Sequence, residues 1–250
     1  MASQASEATG VTIDHLAKVS RTKVFFGHQS VGKNILDAVP GVYSAHGMTA
    51  PTIEQSKTEH LDDCGFIEHA FIGQNEHPLD KIRDFEEKMI SGTGGEVDLA
   101  MMKLCYVDVM GDTDVDKLFA AYRTVFATLE RDFPKVAFIK VTVPVTTDPA
   151  LRSKLKSRLT GRTQSGPADN LARERLNHAI RQEYPGDQVF DLAAIESTDP
   201  DGKRVTGMYH GRQYYRLYDG YASDSGHLNG EGAHIVASAW LKAIAQASPR

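Results

Sequence analysis

Near the end of the chain a carboxylate and an imidazole stand three residues apart, in the run Ser223-Asp224-Ser225-Gly226-His227-Leu228-Asn229-Gly230-Glu231-Gly232. That spacing lets one short loop present an acid and a base together, with the acid orienting the base. Serine is a poor nucleophile until a base removes its proton. Ser30, in Phe25-Phe26-Gly27-His28-Gln29-Ser30-Val31-Gly32, is the best partner elsewhere in the chain. Ser30, His227 and Asp224 are therefore the candidate catalytic residues, and acyl transfer through them requires neither metal nor organic cofactor. Plainer readings exist for each piece. A serine after a strand also serves as a helix N-cap. An Asp-x-x-His also serves as a loop hydrogen-bond motif, or with His234 as part of a metal site.

The elements that must hold these residues alternate along the chain. Residues 23–27 are a compact apolar run closed by glycine and read as a buried strand. After Ser30, Val31, Ile35, Leu36 and Val39 recur at helical spacing until Pro40 and Gly41, where the helix should stop. Residues 41–63 show no strong period and read as a lid or irregular crossover, with residues 52–59 too polar for the core. Residues 65–72 form a second strand and 78–91 an amphipathic helix. Residues 97–105 are nearly all apolar, as in a central parallel strand covered on both faces. A helix over 112–132, a strand over 135–143, a helix capped by Asp169 and a short strand over 188–191 follow. Residues 144–167 read as a long polar loop with a short basic helix near 151–159. The last helix spans 233–247. Such alternation predicts a three-layer α/β/α domain with a central, mostly parallel sheet of about five strands. Ligands of such sheets bind beyond the carboxyl ends of the strands, where Ser30, Gly73–Asn75, Cys105–Asp108 and the Asp224–His227 loop all converge.

Bulk properties narrow the function classes. The 250 residues are 41% hydrophobic and 24% charged, as in a soluble globular protein, and the net charge of −5 gives no reason to expect nucleic acid as a partner. No stretch approaches the roughly 18 apolar residues of a membrane span. No repeat or linker divides the chain, so residues 11–250 read as one domain behind a small, polar, flexible segment, residues 1–10. That segment lacks the apolar run of a signal peptide. It fits a cytoplasmic protein, or an exported one whose signal has been removed. Cys64 and Cys105 have no metal-like spacing and read as free buried thiols, a disulfide being the minority alternative.

The pattern resembles the SGNH (GDSL-type) hydrolase superfamily over most of the chain, which implies a flavodoxin-like sheet. The segment 23–30 is similar to that family's first block, with Gln29 where the family has Asp. Gly73 lies where the second block has its glycine, and Asp224-Ser225-Gly226-His227 matches the final block residue for residue. The third block departs: Val107 stands where the family's oxyanion-binding Asn belongs. The resemblance implies oxyanion donors at Ser30 and Gly73, and Asn75 is the proposed replacement for the missing amide. It also implies a serine esterase acting on short acyl esters, acetyl esters of carbohydrates above all. The alternatives are an acyltransferase with the same triad, or a non-catalytic carbohydrate- or partner-binding relative.

Substrate contacts are expected from His28, two residues before Ser30, and from Tyr209, Arg212 and Tyr215 in the tyrosine- and arginine-rich segment 208–221. Flat aromatics among polar donors suit a carbohydrate, though tyrosines in a long loop also pack that loop onto its domain. Lys103, inside an apolar strand, needs a partner such as Asp108, or else must snorkel out. The compartment and oligomeric state carry no signal in the sequence.

Overall fold

The computed structural model describes residues 10–55, 65–148 and 166–248. The expectations for the first nine residues, for Cys64 and for a helix over 151–159 fall outside them. In chain order the elements are α1 (Ile13–Val19), β1 (Lys23–His28), α2 (Ser30–Ala45), β2 (Thr52–Gln55), β3 (Phe66–Phe71), α3 (Pro78–Ile90), β4 (Leu99–Met102), α4 (Val115–Asp132), β5 (Ala137–Val141), α5 (Pro167–Glu183), β6 (Val189–Phe190), α6 (Leu192–Glu196), β7 (Thr206–Tyr209), β8 (Arg212–Tyr215) and α7 (Gly230–Ala247).

The period-two alternation of strand side chains divides the core into two layers. Val24, Phe26, Leu99, Met101, Ile139 and Val141 face α1, α2 and α7. Phe25, Ala100, Met102 and Phe138 face α3, α4 and α5. Trp240 of α7 packs on Phe26 at 5.3 Å between ring centres, and Phe85 of α3 stacks on Phe25 at 5.9 Å. The sheet order is β2-β3-β1-β4-β5-β6 and every pairing is parallel. The three-layer α/β/α architecture expected from the sequence is thus present. Its chain reverses direction across the sheet at β1, between β3 and β4, which is where such sheets bind ligands.

Three elements differ from expectation. The sixth strand, β2, lies in the segment read as an irregular crossover. Among the described residues it pairs only with β3, so an edge strand with exposed Thr and Gln and a half-buried Glu suffices there. Helix α2 does not stop at Pro40 but runs to Ala45. Proline in a helix interior costs about 3 kcal/mol. Burial of Val42 and Tyr43 on the continuing apolar face offsets this at about 1.5–3 kcal/mol per large apolar side chain, and the Tyr43 hydroxyl donates to Leu16 O at 3.0 Å. The segment read as a tyrosine-rich loop holds the antiparallel hairpin β7–β8. Its two turn residues, His210 and Gly211, both have positive φ (47° and 75°), as a tight right-twisted hairpin requires.

Loops at the carboxyl edge of a parallel sheet run past the strand ladder, so side chains must satisfy their backbone groups. Asp108 accepts from Lys81 Nζ at 2.6 Å, from Cys105 N–H at 2.6 Å and from Glu76 N–H at 2.9 Å, joining the loops after β3 and β4. Lys103 neither pairs with Asp108 nor snorkels out, and the carboxyl group that feels its charge is that of Glu196. Lys103 is fully buried, and its Nζ donates to Leu104 O at 3.1 Å; Lys81 is the partner of Asp108. On the other side, Asn177 brackets Val143, donating to its carbonyl at 2.9 Å and accepting from its N–H at 2.7 Å. Asn170 does the same for Thr146. Buried Arg173 donates to Tyr106 O at 2.9 Å, Val109 O at 3.1 Å and Thr146 Oγ1 at 3.0 Å. Burial lowers the Arg173 pKa to about 10, which still leaves it charged. Fully buried Glu196 accepts from Val145 N–H, and burial pushes its carboxyl up to about 8.

Two stability measurements follow from these groups. Lys81→Met strands a buried carboxylate and is expected to lower the unfolding free energy by about 3–5 kcal/mol in urea denaturation, most of it recovered in Lys81→Met/Asp108→Leu. Glu196 has a raised folded pKa, so its contribution favours folding at acid pH and is lost as the pH rises through about 8. The urea midpoint of wild type should therefore fall between about pH 6 and about pH 9 more steeply than that of Glu196→Gln. Equal slopes would show that Glu196 is not protonated in the fold.

Candidate active site

Ser30 is the first residue of α2, directly beyond β1, with Gln29 as the extended N-cap residue. At this place its backbone N–H belongs to the first turn, where helical N–H groups lack an intrahelical acceptor and carry the positive end of the helix dipole. Gln29 does not orient the helix; its Nε2 donates to Ile72 O and Gly73 O, both at 3.0 Å, and so ties the nucleophile turn to the loop after β3. His28 beneath it is fully buried. Its Nδ1 lies 2.9 Å from Gln29 O, and a carbonyl can only accept, so Nδ1 carries the proton. Its Nε2 then accepts from His69 Nδ1 at 3.0 Å. Burial lowers the His28 pKa to about 3, keeping the ring neutral. Gly32 has no room for a side chain, since a Cβ there would sit 2.4 Å from His28 Cβ. His28 is therefore a packed support of the Ser30 turn and does not reach the surface where a substrate would bind.

The loop before α7 forms the acid–base pair. His227 Nδ1 lies 2.7 Å from Asp224 Oδ2, while Asp224 Oδ1 accepts from the Gly226 and His227 N–H groups, each at 2.8 Å. Partial burial raises the Asp224 pKa, but those two N–H donors and the His227 ring outweigh it and hold the carboxyl below its usual value. Because a carboxylate accepts, His227 carries a proton on Nδ1, and in the neutral ring this leaves Nε2 bare. Among the described residues, no hydrogen bond joins Ser30 to this ring, though the two helices that follow them, α2 and α7, pack side by side. Asn229 closes the loop, capping α7 through Gly232 N–H at 2.9 Å and donating to Gly220 O at 2.7 Å. Thr147 N–H donates to Ser225 O at 2.9 Å, fixing the loop to the end of the β5 segment.

Tyr106 is a residue that the sequence reading passed over. Its ring meets the His227 imidazole edge-on, with centres 5.6 Å apart and planes at 80°. It lies so close over Gly226 that a Cβ there would sit 2.5 Å from the ring. Burial and then the Asp224 charge raise its pKa, so the phenol stays protonated. Tyr106, Val107 and Ser225 line a cavity of about 820 Å³ beside the pair, with Glu76 and Asp169 on its far walls. A signal was present in the sequence: an aromatic immediately follows the apolar run of β4.

The expected oxyanion donors stand in different states. Gly73, at φ +49°, directs its N–H to Asp84 Oδ2 at 2.8 Å. Asn75 accepts from Lys81 Nζ at 2.8 Å; an ammonium only donates, so the amide oxygen faces Lys81 and Nδ2 faces away. Val107 contributes only aliphatic surface to the cavity. Of the three hairpin residues, the two tyrosines make ring contacts and the arginine is exposed. Tyr215 lies flat on the Arg204 guanidinium at 3.8 Å, Tyr209 packs against His210, and Arg212 is exposed on a hairpin that packs against α5. Among the described residues, no cluster of three or more His, Cys, Asp or Glu is placed to hold a metal ion, and no helix is long and apolar enough to cross a membrane.

No family model and no curated protein matches the chain. Solved structures do match. A Streptococcus pneumonia protein, provisionally described as a platelet activating factor, is 15% identical, with 96% of this chain and 91% of that one covered at a TM-score of 0.50. A provisionally described lipolytic protein of the G-D-S-L family from Desulfitobacterium hafniense DCB-2 is 10% identical, with coverages of 89% and 99% and a TM-score of 0.47. The periplasmic domain of the lipopolysaccharide acetyltransferase of Salmonella ser. Paratyphi A is 11% identical, with coverages of 88% and 83% and a TM-score of 0.45. Identities this low speak for the fold alone. The sheet topology and the whole-chain superposition together show the shared three-layer α/β/α fold with its parallel central sheet.

Proposed function

We propose that the protein is a serine esterase that hydrolyses short acyl esters, chiefly acetyl esters of carbohydrates, through Ser30, His227 and Asp224. The observation that carries this reading is the Asp224–His227 pair, whose Nδ1 contact of 2.7 Å fixes the tautomer with a bare Nε2. That nitrogen takes the Ser30 proton as Oγ attacks the ester carbonyl. Asp224 stabilises the imidazolium that forms. The oxyanion collects the Ser30 N–H and the Asn75 Nδ2, joined by the Gly73 N–H when Asp84 turns to Lys88, now 3.5 Å away. His227 then protonates the leaving alcohol, and water, activated by the same base, releases the acid.

A non-catalytic relative is the second reading. It is favoured by the aliphatic Val107 and by the engagement of Gly73 N–H with Asp84. An acyltransferase would use the same groups and differ in excluding water.

Hydrolysis of p-nitrophenyl acetate separates the two readings. Ser30→Ala and His227→Ala are each expected to lower kcat by about 10³-fold or more, with full activity of wild type in EDTA. Equal rates for wild type and Ser30→Ala would overturn the esterase reading. Tyr106 supports the base through its ring, so Tyr106→Phe should stay near wild type. Tyr106→Ala should lower kcat/KM by about 10²-fold, the order expected when a catalytic group is displaced by about 1 Å. A Phe variant as impaired as Ala would place the effect in the hydroxyl instead.

A further inference from the structure

The catalytic mechanism leaves a second cavity unused. A trough of about 330 Å³ runs between α2 and α7. Its α2 wall carries Asn34, Ala38 and Gly41, which follow Ser30 at the spacing that keeps residues on one helix face. Asn34 is one turn from Ser30, about 6 Å along the axis. The opposite wall begins with Leu228, the residue after His227, and continues to Ala233 and His234 on α7. One wall of the trough thus begins one helical turn after Ser30 and the other at the residue that follows His227. Its small side chains leave space open: a Cβ at Gly41 or Gly230 would meet nothing within 4 Å.

Two polar groups on these walls are unspent. Asn34 Oδ1 is buried without a hydrogen-bond partner, a state that costs about 1–3 kcal/mol unless something fills it. The His234 ring makes no hydrogen bond to a described residue. Burial, and then His46, lower its pKa, so it stays neutral and both donates and accepts. Lys33, the nearest cation on α2, is held by Asp37 on the rim. A carboxylate or phosphate would find an acceptor, a carboxylate and no free cation. A hydroxyl donates to Asn34 Oδ1 and accepts from His234. The volume lies at the small end of ligand pockets, which suits one ring-sized group.

We propose that the α2–α7 trough is the subsite for the alcohol half of the substrate, an uncharged polyhydroxyl ring whose acylated oxygen reaches Ser30. This rests on the esterase reading, and it moves the carbohydrate surface from Tyr209, Arg212 and Tyr215 to Asn34 and His234. The chemistry is unchanged. Ser30 Oγ gains the acetyl group, the sugar's acylated hydroxyl oxygen leaves with the proton held by His227, and water later yields acetate and free serine.

The test compares methyl 6-O-acetyl-glucoside with p-nitrophenyl acetate, which lacks the ring. Ala38→Trp, which fills the trough, and Asn34→Leu, which removes its acceptor, are each expected to lower the ratio of the two kcat/KM values by about 10-fold, the equivalent of one hydrogen bond. An unchanged ratio in both variants, with wild type active on both esters, overturns the subsite and leaves the esterase reading standing. Binding is read separately in Ser30→Ala, where methyl glucoside should shift the Asn34 side-chain amide signals in an NMR titration. A shift in a protein inactive on both esters keeps the trough and sinks the esterase reading. No shift and no activity sink both.

Discussion

Asp108 has almost no contact with solvent, yet its two oxygens hold Lys81 Nζ and the backbone N–H groups of Cys105 and Glu76. Removing one partner of a buried pair is far more damaging than replacing both, because the remaining charge has lost its water as well as its counterion. The carboxyl edge of a parallel sheet therefore sits on a constraint of charge, not on a hydrophobic one. The loop after β3, which carries Gly73 and Asn75, and the turn after β4, which carries Tyr106 and Val107, cannot move independently while Asp108 holds these three donors. Arg173 repeats the device on the far side, joining Tyr106 and Val109 to Thr146. Tyr106 is thereby placed against His227 by a cation that never touches the imidazole.

Much of this was legible in the sequence, for identifiable reasons. Strands buried on both faces read as continuous apolar runs, so β1, β3, β4 and β5 were visible, and with them the three-layer fold. Asp224 and His227 were visible because their interaction is local: three residues of loop suffice to close it. What was hidden depends on partners distant in sequence. Lys81 reads as one more charge on an amphipathic helix until the fold brings it to Asp108, 27 residues away. Lys103 drew attention as the odd residue in an apolar strand, yet its neighbours are a carbonyl and a thiol. Edge strand β2 lacked any apolar signature because an edge needs little. Pro40 misled because helix propensity is a local quantity, whereas Tyr43 and Val42 are held by tertiary burial. The hairpin turn His210-Gly211 was masked by its tyrosines, whose number suggested a binding surface before a hairpin.

The two halves of the candidate site differ in readiness. The base is fully organised, even though the Asp224 side chain is 56% exposed. Its charge is stabilised by three converging hydrogen bonds and not by a buried counterion, which keeps the carboxylate cheap to hold and its geometry fixed. The side proposed to hold the oxyanion is guarded, with the Gly73 N–H already satisfied by Asp84. In the proposed mechanism this guard is not neutral between ground and transition states. A substrate carbonyl carries only a partial charge and competes poorly with a carboxylate for that donor. A developing oxyanion carries a full charge and exchanges with Asp84 on nearly equal terms, while Lys88 waits for the displaced carboxylate. An interaction available only once the charge has formed binds the transition state more strongly than the substrate, and that difference is what lowers a barrier. Val107 removes one fixed donor from the usual arrangement. In the proposed mechanism Asp84 makes another conditional, so the change is in when the oxyanion would be held as well as in which groups would hold it.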